Sequence, residues 1–479
     1  MVAGTAFGIL VGALPGLGSV VAITMVLPFT FSMGLVPSVV LVLSVYCASV
    51  YGGSISAILI NTPGTPQSAA TTLDGFPMTQ KGEADLALGW VTVASAIGGL
   101  FSAVVLILAA PQLAAFALRF TPIETFLLIC LALTCIAAVS RGSMVKGLLA
   151  GILGLLLATV GSDPVTGDIR FDFGFFPLSG GIELIPVLVG MFALSEVFAR
   201  VAERGGDEVQ ALARVGFRVA PLREWTARWK TLLKSCLIGS FVGVLPGTGA
   251  ATASFMAYAE AKRAGRYRDK LGSGEPEGVI ATECANNAVT GSALVPTLAL
   301  GIPGDPVTAV MMSALIIQGV QPGVRLFTEN PEVVYLSFVA LVFINLTMLA
   351  MGALSAPWFT RILRIPEPML LAVILVLSFV GAYGVRGSSF DLLVTLVAGI
   401  VGYLLRVNNF PAAPLVIGLV LGAQHEAALR QGLIMTDGSF LSFFAGRPIA
   451  QVLLALTIVF LLLPALGPLR AWYGSRRAG

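Results

Sequence analysis

Long apolar stretches alternate with short Gly/Pro-rich or charged segments along almost the whole chain. Four of the apolar runs are long enough to cross a bilayer, because the hydrocarbon core takes roughly 20 helical residues. These runs are residues 90–117, 335–353, 369–384 and 449–466. The pattern predicts an all-α, polytopic integral membrane protein.

Two further apolar stretches are interrupted by the same break. Gly-Ala-Leu-Pro-Gly-Leu-Gly occupies residues 12–18, and Gly-Val-Leu-Pro-Gly-Thr-Gly occupies residues 243–249. Pro246 follows Pro15 by 231 residues, close to half of the 479-residue chain. Broken helices at corresponding places in two halves indicate the binding site of a membrane transporter.

Other signals recur in the same order after each break, and each early one has a later counterpart. The early signals are Tyr-Gly-Gly-Ser at 51–54, Asn-Thr-Pro-Gly-Thr-Pro at 61–66, Arg-Gly-Ser at 141–143 and Pro-Val-Leu-Val-Gly at 186–190. The counterparts are Val-Thr-Gly-Ser at 289–292, Gly-Ile-Pro-Gly-Asp-Pro at 301–306, Arg-Gly-Ser at 386–388 and Pro-Leu-Val-Ile-Gly at 414–418. The order predicts a tandem duplication.

The duplication divides the chain into four expected parts. Residues 1–200 form a first membrane repeat and residues 231–430 form a second. Residues 201–230 form a basic cytoplasmic linker between them. Residues 431–479 form a C-terminal transmembrane helix and a basic tail.

Composition agrees with the membrane class and excludes an ordinary soluble domain. Hydrophobic residues make up 57% of the chain, charged residues make up 11% and the mean hydropathy is +0.93, whereas soluble domains carry about 25% charged residues. The five cysteines lack a CxxC spacing, so we expect neither a metal site nor disulfides. The N-terminus lacks a basic n-region, and we expect no cleavable signal peptide.

The placement of charge predicts a topology with re-entrant hairpins. Residues 200–234 carry eight basic residues against four acids, and five more basic residues occur within 262–270. Both segments are cytoplasmic by the positive-inside rule. Residues 231–260 must then enter the membrane and return, with the turn at the second break. Two short full spans joined by a tight external turn would give the same charge pattern.

The relation between the repeats follows from the same charges. The flank of the first break, residues 29–37, carries no basic residue, which is expected if the repeats are inverted and the first one opens to the other side. A parallel arrangement stays open, because the matching Arg141 and Arg386 would lie on opposite faces of inverted repeats. Arg470, Arg476 and Arg477 place the C-terminus inside.

The breaks offer backbone and neutral polar groups for a carboxylate. The N-terminus of a helix that starts inside the membrane has unpaired N–H groups and a partial positive charge, so it can hold an anion without a lysine. The candidate substrate-binding residues are Pro15, Gly16, Gly18, Asn61, Thr62, Gly64, Thr65, Gly247, Thr248, Gly249, Asn286, Asn287 and Gly304.

Four residues are candidates for coupling transport to an ion, namely Asp305, Glu283, Ser54 and Ser292. Carboxylates and hydroxyls at membrane depth can hold a cation or a proton, so the coupling ion is Na⁺ or H⁺. Alternatively, Asp305 caps the following helix, Glu283 lies at the membrane interface, and the serines let helices pack closely. We expect no cofactor and no metal.

The motifs resemble those of the TctA family, the large membrane subunit of tripartite tricarboxylate transporters. The resemblance lies in the two breaks, in Leu-Asp-Gly-Phe-Pro at 73–77, in Ala-Asn-Asn-Ala at 285–288 and in Gln-Gly-Val-Gln-Pro-Gly at 318–323. Members of the family usually have an additional segment before the first break, whereas Met1 lies 14 residues ahead of Pro15 here.

The resemblance implies secondary uptake of carboxylates by symport with an ion across a bacterial inner membrane. It also implies two partners, a small TctB-like membrane subunit and a periplasmic TctC-like solute-binding protein. Other tripartite transporters suggest, by analogy alone, an elevator-type motion of the broken-helix core. The resemblance does not select one carboxylate.

Two other classes of function remain as alternatives. A passive anion channel would explain the Gly-rich breaks, although pores usually have rings of like charge or repeated filter sequences. The second alternative is a scaffold subunit or an intramembrane enzyme. We expect no enzyme, because the sequence contains no GxSxG, P-loop or HExxH motif and no paired catalytic carboxylates.

Overall fold

The computed structural model describes residues 1–139, 143–163, 166–202, 215–247, 249–363 and 365–475. Within these ranges the chain is mostly helical, and seven helices are long and apolar enough to cross a membrane. The predicted all-α polytopic class is confirmed at this level. Arg141, one of the residues used to match the two halves, lies outside the described residues.

The described part of residues 1–202 contains nine α-helices. They are α1 (Val2–Ala13), α2 (Gly18–Thr30), α3 (Leu35–Ile60), α4 (Thr72–Gln80), α5 (Ala84–Ala117), α6 (Pro122–Val139), α7 (Met144–Leu157), α8 (Leu184–Leu188) and α9 (Ser195–Ala202). A π-helical segment, Val189–Leu194, joins α8 to α9, and Pro66–Thr71 and Phe176–Gly180 are 3₁₀-helices. Strands β1 (Gly161–Ser162) and β2 (Ile169–Arg170) pair antiparallel, with Gly161 opposite Arg170.

The rest of the described chain contains twelve α-helices. They are α10 (Leu222–Ala227), α11 (Trp229–Val244), α12 (Gly249–Ala264), α13 (Pro276–Ser292), α14 (Leu294–Leu300), α15 (Pro306–Ile317), α16 (Leu326–Glu329), α17 (Pro331–Ile362), α18 (Glu367–Arg386), α19 (Ser389–Val407), α20 (Ala412–Met435) and α21 (Pro448–Ser475). Arg268–Lys270 and Leu441–Phe443 are 3₁₀-helices.

Each predicted break is the tip of a helical hairpin. We call α1–α2 the first hairpin and α11–α12 the second hairpin. Proline has no N–H for a helical hydrogen bond, and glycine allows the left-handed backbone that reverses the chain. Gly16 and Gly247, directly after the two prolines, have φ angles of 74° and 84°. The sequence therefore dictates the tips locally.

Small residues bring the first arm of each hairpin against a long helix. In α1, a Cβ at Gly8 would lie 2.8 Å from the carbonyl oxygen of Val45 in α3. In α11, a Cβ at Gly243 would lie 3.1 Å from the carbonyl oxygen of Val289 in α13. Such close backbone approach drives helix association in membranes, where lipid is as apolar as the side chains.

The long helices cross between the two halves of the chain. Helix α13 packs against α5, and α3 packs against α17. The contact between α5 and α13 is tight, because a Cβ at Gly98 would lie 2.5 Å from the carbonyl oxygen of Cys284. Helices α1–α5 and α11–α17 thus form one core.

Two bundles flank this core, and each takes helices from both halves of the chain. The first bundle consists of α6, α7, α20 and α21. The second bundle consists of α8, the π-helical segment, α9, α18 and α19. The apolar residues that these elements share with the core form one continuous buried cluster.

Candidate functional site

In the first half, the hairpin tip meets the turn that follows α3. The N–H of Gly16 donates to the Pro63 carbonyl at 3.3 Å, and that of Gly18 donates to the Gly64 carbonyl at 3.1 Å. The N–H of Gly64 in turn donates to Gly53 of α3 at 3.1 Å. A Cβ at Gly64 would overlap the carbonyl oxygen of Gly12, so only glycine fits there.

The second half has the corresponding contact. The N–H of Gly247 donates to the carbonyl of Gly304 at 2.7 Å. A Cβ at Gly304 would lie 2.6 Å from the carbonyl oxygen of Ala293. Gly249 begins α12 at this tip, and the candidate Thr248 lies outside the described residues. In both halves, residues that are distant in sequence and were predicted as a site therefore lie together.

The predicted polar residues in the turn after α3 do not all face one site. Asn61 ends α3 in the left-handed conformation with φ 56°, and its side chain and that of Thr62 are exposed. Thr65 is buried and caps the following 3₁₀-helix together with Ser68. Asn61 and Thr62 are thus on the exposed edge of the turn, whereas Thr65 stabilises the helix start.

Glu283 lies at the centre of the core with no exposed surface. Its carboxylate accepts hydrogen bonds from Ser54 at 2.7 Å, Ser95 at 2.8 Å, the side-chain amide of Asn286 at 3.3 Å and the hydroxyl of Thr71. Its partners come from α3, α5, α13 and a 3₁₀-helix. The described residues include no salt bridge to this acid. Glu283 is therefore a buried carboxylate caged by neutral donors.

Asn287 extends this polar centre along α13. Its side-chain N–H group donates to the Glu283 carbonyl at 3.1 Å and to Asn286 at 2.5 Å. Its own side-chain oxygen is buried without a hydrogen-bond partner in the described residues, as is the hydroxyl of Ser292. A buried acceptor without a partner costs about 1–3 kcal/mol, which a bound cation would offset.

Ser54 and Ser292, which the sequence pattern matched, have different surroundings. In the first half, the carbonyl of Gly53 accepts the N–H of Gly64, and Ser54 is the residue after Gly53. In the second half, Gly304 lies against Ala293, and Ser292 is the residue before Ala293. Ser54 lies on another helix and donates to Glu283, whereas Ser292 lies on the same helix as Glu283, nine residues further on, which is about 14 Å along the helix axis.

Asp305 is the N-cap of α15, and its carboxylate accepts the N–H of Thr308 at 2.7 Å. The other oxygen accepts the hydroxyl of Tyr46 from α3 at 2.6 Å. Asp305 is 1% exposed. The capping interpretation is thus borne out, and the tyrosine adds a link between the halves.

Four buried polar residues, Thr71 among them, were missed as parts of the site. Tyr46 and Ser95 are each one of several hydroxyl residues in a long apolar helix, so the sequence does not single them out. Asp74 accepts the Tyr258 hydroxyl at 2.9 Å and three backbone N–H groups of residues 272–275. Asp74 anchors the start of α13.

A group of charged side chains lies beside the first tip. The guanidinium of Arg200 in α9 donates to the carbonyl of Pro15. It also pairs with Glu196 at 2.8 Å and with Glu367 of α18 at 2.9 Å. The second bundle therefore holds the first hairpin tip through a half-buried arginine.

Sequence comparisons agree with the resemblance. The Tripartite tricarboxylate transporter TctA family matches residues 1–417. An Agrobacterium vitis protein named "Uncharacterized 52.8 kDa protein in TAR-I ttuC' 3'region" is 36% identical over 466 residues, which cover 97% of this chain and 92% of that protein. A second Agrobacterium vitis protein, "Uncharacterized protein in TAR-II ttuC' 3'region", is 36% identical over 234 residues, covering 49% and 96%.

No solved structure matches the chain. The family match spans both hairpins, the Glu283 centre and the bundle helices that hold the first tip. This chain therefore belongs to the tripartite tricarboxylate transporter TctA family, a family of transporter subunits.

Proposed function

We propose that this chain is the large membrane subunit of a binding-protein-dependent secondary transporter, which imports tricarboxylates or related carboxylates with an ion gradient. The observation that carries the proposal is the pairing of each hairpin tip with a second broken helix around the buried Glu283 centre. The bilayer concerned is the inner membrane of a bacterium.

Carboxylate binding is supported by the helix starts at the tips. Helices α2 and α12 begin at Gly18 and Gly249, directly after the two tips. Their positive dipole ends therefore face the breaks, where an anion gains about 0.3–1 kcal/mol or more when water is excluded. Gly16, Gly18, Gly247 and Gly249 let a ligand approach the backbone closely.

Ion coupling is assigned to Glu283 and its hydroxyl donors. A carboxylate and several hydroxyl oxygens are the hard ligands that small cations prefer, and a buried acid can instead take up a proton. Ser54, Ser95 and Thr71 lie within hydrogen-bond distance of the same carboxylate. The unpartnered oxygen of Asn287 on the same helix supplies a further acceptor.

Two inverted repeats, residues 1–200 and 231–430, complete the proposal. Gln318 donates to the carbonyl of Thr30 at the open end of the first hairpin. Glu277 accepts the hydroxyl of Thr231 at the open end of the second. On α3, Ser54 meets Glu283 of α13, whereas the earlier Tyr46 meets Asp305, the N-cap of α15. Because Gly304, next to Asp305, lies against Ala293 at the end of α13, the contacts run in opposite directions along α3 and α13. These contacts support hairpins that open to opposite sides.

The mechanism that fits this arrangement moves the core against the two flanking bundles, so that the site faces each side in turn. A small TctB-like membrane subunit and a periplasmic TctC-like binding protein are the proposed partners. The binding protein would deliver the carboxylate to the first hairpin, which opens away from the basic loops.

The direct test is uptake into proteoliposomes that hold this chain and its small membrane partner, with the binding protein outside. A panel of labelled citrate and dicarboxylates is offered with an imposed Na⁺ or H⁺ gradient. We expect concentrative uptake that collapses when the gradient or the binding protein is removed. Downhill flux that is indifferent to both would indicate a passive channel, and no flux of any acid would indicate a scaffold.

A further inference from the structure

A cavity of about 440 Å³ opens between the arms of the second hairpin, at the end where α11 begins and α12 ends. Trp229 lies at its edge with 55% of its surface exposed. Tryptophan is enriched where a protein meets the membrane–water interface. The cavity therefore lies at the interface on the side of the basic loops.

The cavity has an excess of positive charge. Arg228, Lys230, Lys234 and Arg266 line it, against two acids, Glu260 and Glu277. Glu277 is buried and accepts the Thr231 hydroxyl at 2.5 Å and the backbone N–H groups of Arg266 and Tyr267.

Two of the four cations are already neutralised. Arg228 pairs with Glu275 at 2.6 Å, and Lys234 pairs with Glu260 at 3.0 Å. Lys230 and Arg266 have no carboxylate partner among the described residues. Lys230 and Arg266 lie over the rings of Trp229 and Tyr267, so no carboxylate in the described part of the chain compensates their charges, which would attract a phosphate group.

An apolar groove continues from this cavity along the outer face of the hairpin. Lys234 and Glu260 line both, and the rest of the groove wall is formed by Leu237, Ile238, Met256, Ala259 and Arg263. Leu237 and Met256 are 53% and 48% exposed. A free anion makes no favourable contact with an apolar groove, whereas the acyl chain of a lipid fills one.

We propose that this paired cavity and groove binds one anionic phospholipid, with its phosphate between Lys230 and Arg266 and an acyl chain over Leu237 and Met256. Basic pockets between membrane helices on the positive side bind anionic head groups in this way. The lipid would bridge α11 and α12 and so stabilise the second hairpin. Carboxylate transport does not require this site, which therefore goes beyond the proposed function.

The test uses the purified full-length chain in a zwitterionic detergent, with added phosphatidylglycerol, phosphatidylcholine or inorganic phosphate. Retention of lipid is measured by native mass spectrometry, and the melting temperature is measured in parallel. We expect phosphatidylglycerol to be retained and to raise the melting temperature, and the other two additions to do neither.

The decisive variant is Lys230→Gln/Arg266→Gln, compared with Arg268→Gln/Lys270→Gln. Both pairs lie on the same basic side, and each double variant removes two positive charges, but Arg268 and Lys270 do not line the cavity. We expect the first pair to weaken phosphatidylglycerol binding by roughly thirtyfold and the second by less than about threefold. Leu237→Gln should weaken it without changing the charge.

Three results would overturn the proposal. Equal losses in the two double variants would show non-specific attraction to a basic surface. Unchanged binding in Lys230→Gln/Arg266→Gln would place the lipid elsewhere. A melting shift with inorganic phosphate as large as that with phosphatidylglycerol would show a site for a free anion.

Discussion

The two hairpins share a break but not their surroundings. In the first hairpin, α2 packs against α18 and the π-helical segment, and a Cβ at Gly381 would overlap the Cγ of Pro28. In the second hairpin, no bundle helix within the described residues packs along α12 to a comparable extent. Phe255 and Met256 of α12 are about half exposed, whereas Val26 and Leu27 of α2 are buried.

The difference shows what the repeated sequence specifies and what it leaves to packing. The tip and the turn that meets it are nearly the same in both halves, because Pro and Gly determine them locally. The two hairpins differ in the helices that pack against their second arms, α2 and α12. In the proposed mechanism, a covered first hairpin and an uncovered second hairpin correspond to a site closed on one side and open on the other.

The largest effect is expected at the tightest backbone contact of the first half. Gly64→Ala forces a Cβ into the carbonyl of Gly12, and overpacking costs about 1–3 kcal/mol or more. We expect almost complete loss of uptake and a lower melting temperature. Gly304→Ala, where the nearest atom is 2.6 Å from the new Cβ, should be milder, and Gly34→Ala, with only Pro37 at 4.0 Å, should resemble the wild type.

Glu283→Gln tests the polar centre that joins the two halves of the chain. The variant keeps the shape but removes the charge, so we expect concentrative uptake to fall at least about tenfold while carboxylate counterflow persists. Asp305→Asn should have a smaller effect, because an asparagine still caps α15. Glu332→Gln on the exposed first turn of α17 is the control. Gradient-driven uptake in Glu283→Gln equal to the wild type would contradict the coupling role.

Matched truncations in α2 and α12, the second arms of the two hairpins, test whether α2 is packed more tightly than α12. Leu27→Ala in α2 removes a fully buried side chain and should cost about 2–5 kcal/mol of unfolding free energy. Met256→Ala in α12 removes a half-exposed one and should change it by about 0.5 kcal/mol or less. Denaturation in the same detergent measures both. Equal costs would contradict the difference in packing between the hairpins.

The smallest effect is expected at the contact between Arg200 and the first tip. Arg200→Gln removes the hydrogen bond to Pro15 and both ion pairs, so residues 14–18 should exchange amide hydrogens several-fold faster. Residues 245–247 should exchange as before. Arg361→Gln, at the exposed end of α17, is the control. Unchanged exchange at residues 14–18 would show that Arg200 does not hold the tip.

The hydrophobic pattern predicted the helices better than it predicted which helices pack against each other. It gave the helical class and the two broken helices, because Pro15, Gly16, Pro246 and Gly247 act within their own turns. It could not predict that α20 packs with α6 and α7, since apolar helices of similar composition offer many equivalent partners.

The site was predictable to a similar degree. Glu283 and Asp305 stood out as acids in apolar surroundings, and Gly64 and Gly304 as parts of Pro-Gly turns. Ser95 and Tyr46, by contrast, become partners of those acids only through contacts between helices far apart in sequence. The exposed position of Asn61 also depends on the left-handed end of α3, which the sequence pattern did not reveal.

The central claim is that the two hairpins are inverted equivalents. The most direct measurement is labelling with a membrane-impermeant maleimide of Ser32→Cys, beyond α2, and of Ala264→Cys, at the end of α12, in right-side-out and inside-out vesicles. Both positions are exposed, and four of the five native cysteines are buried, so the wild type supplies the background. We predict that Ser32→Cys is labelled in right-side-out vesicles and Ala264→Cys in inside-out vesicles. Labelling of both from the same side would contradict the account.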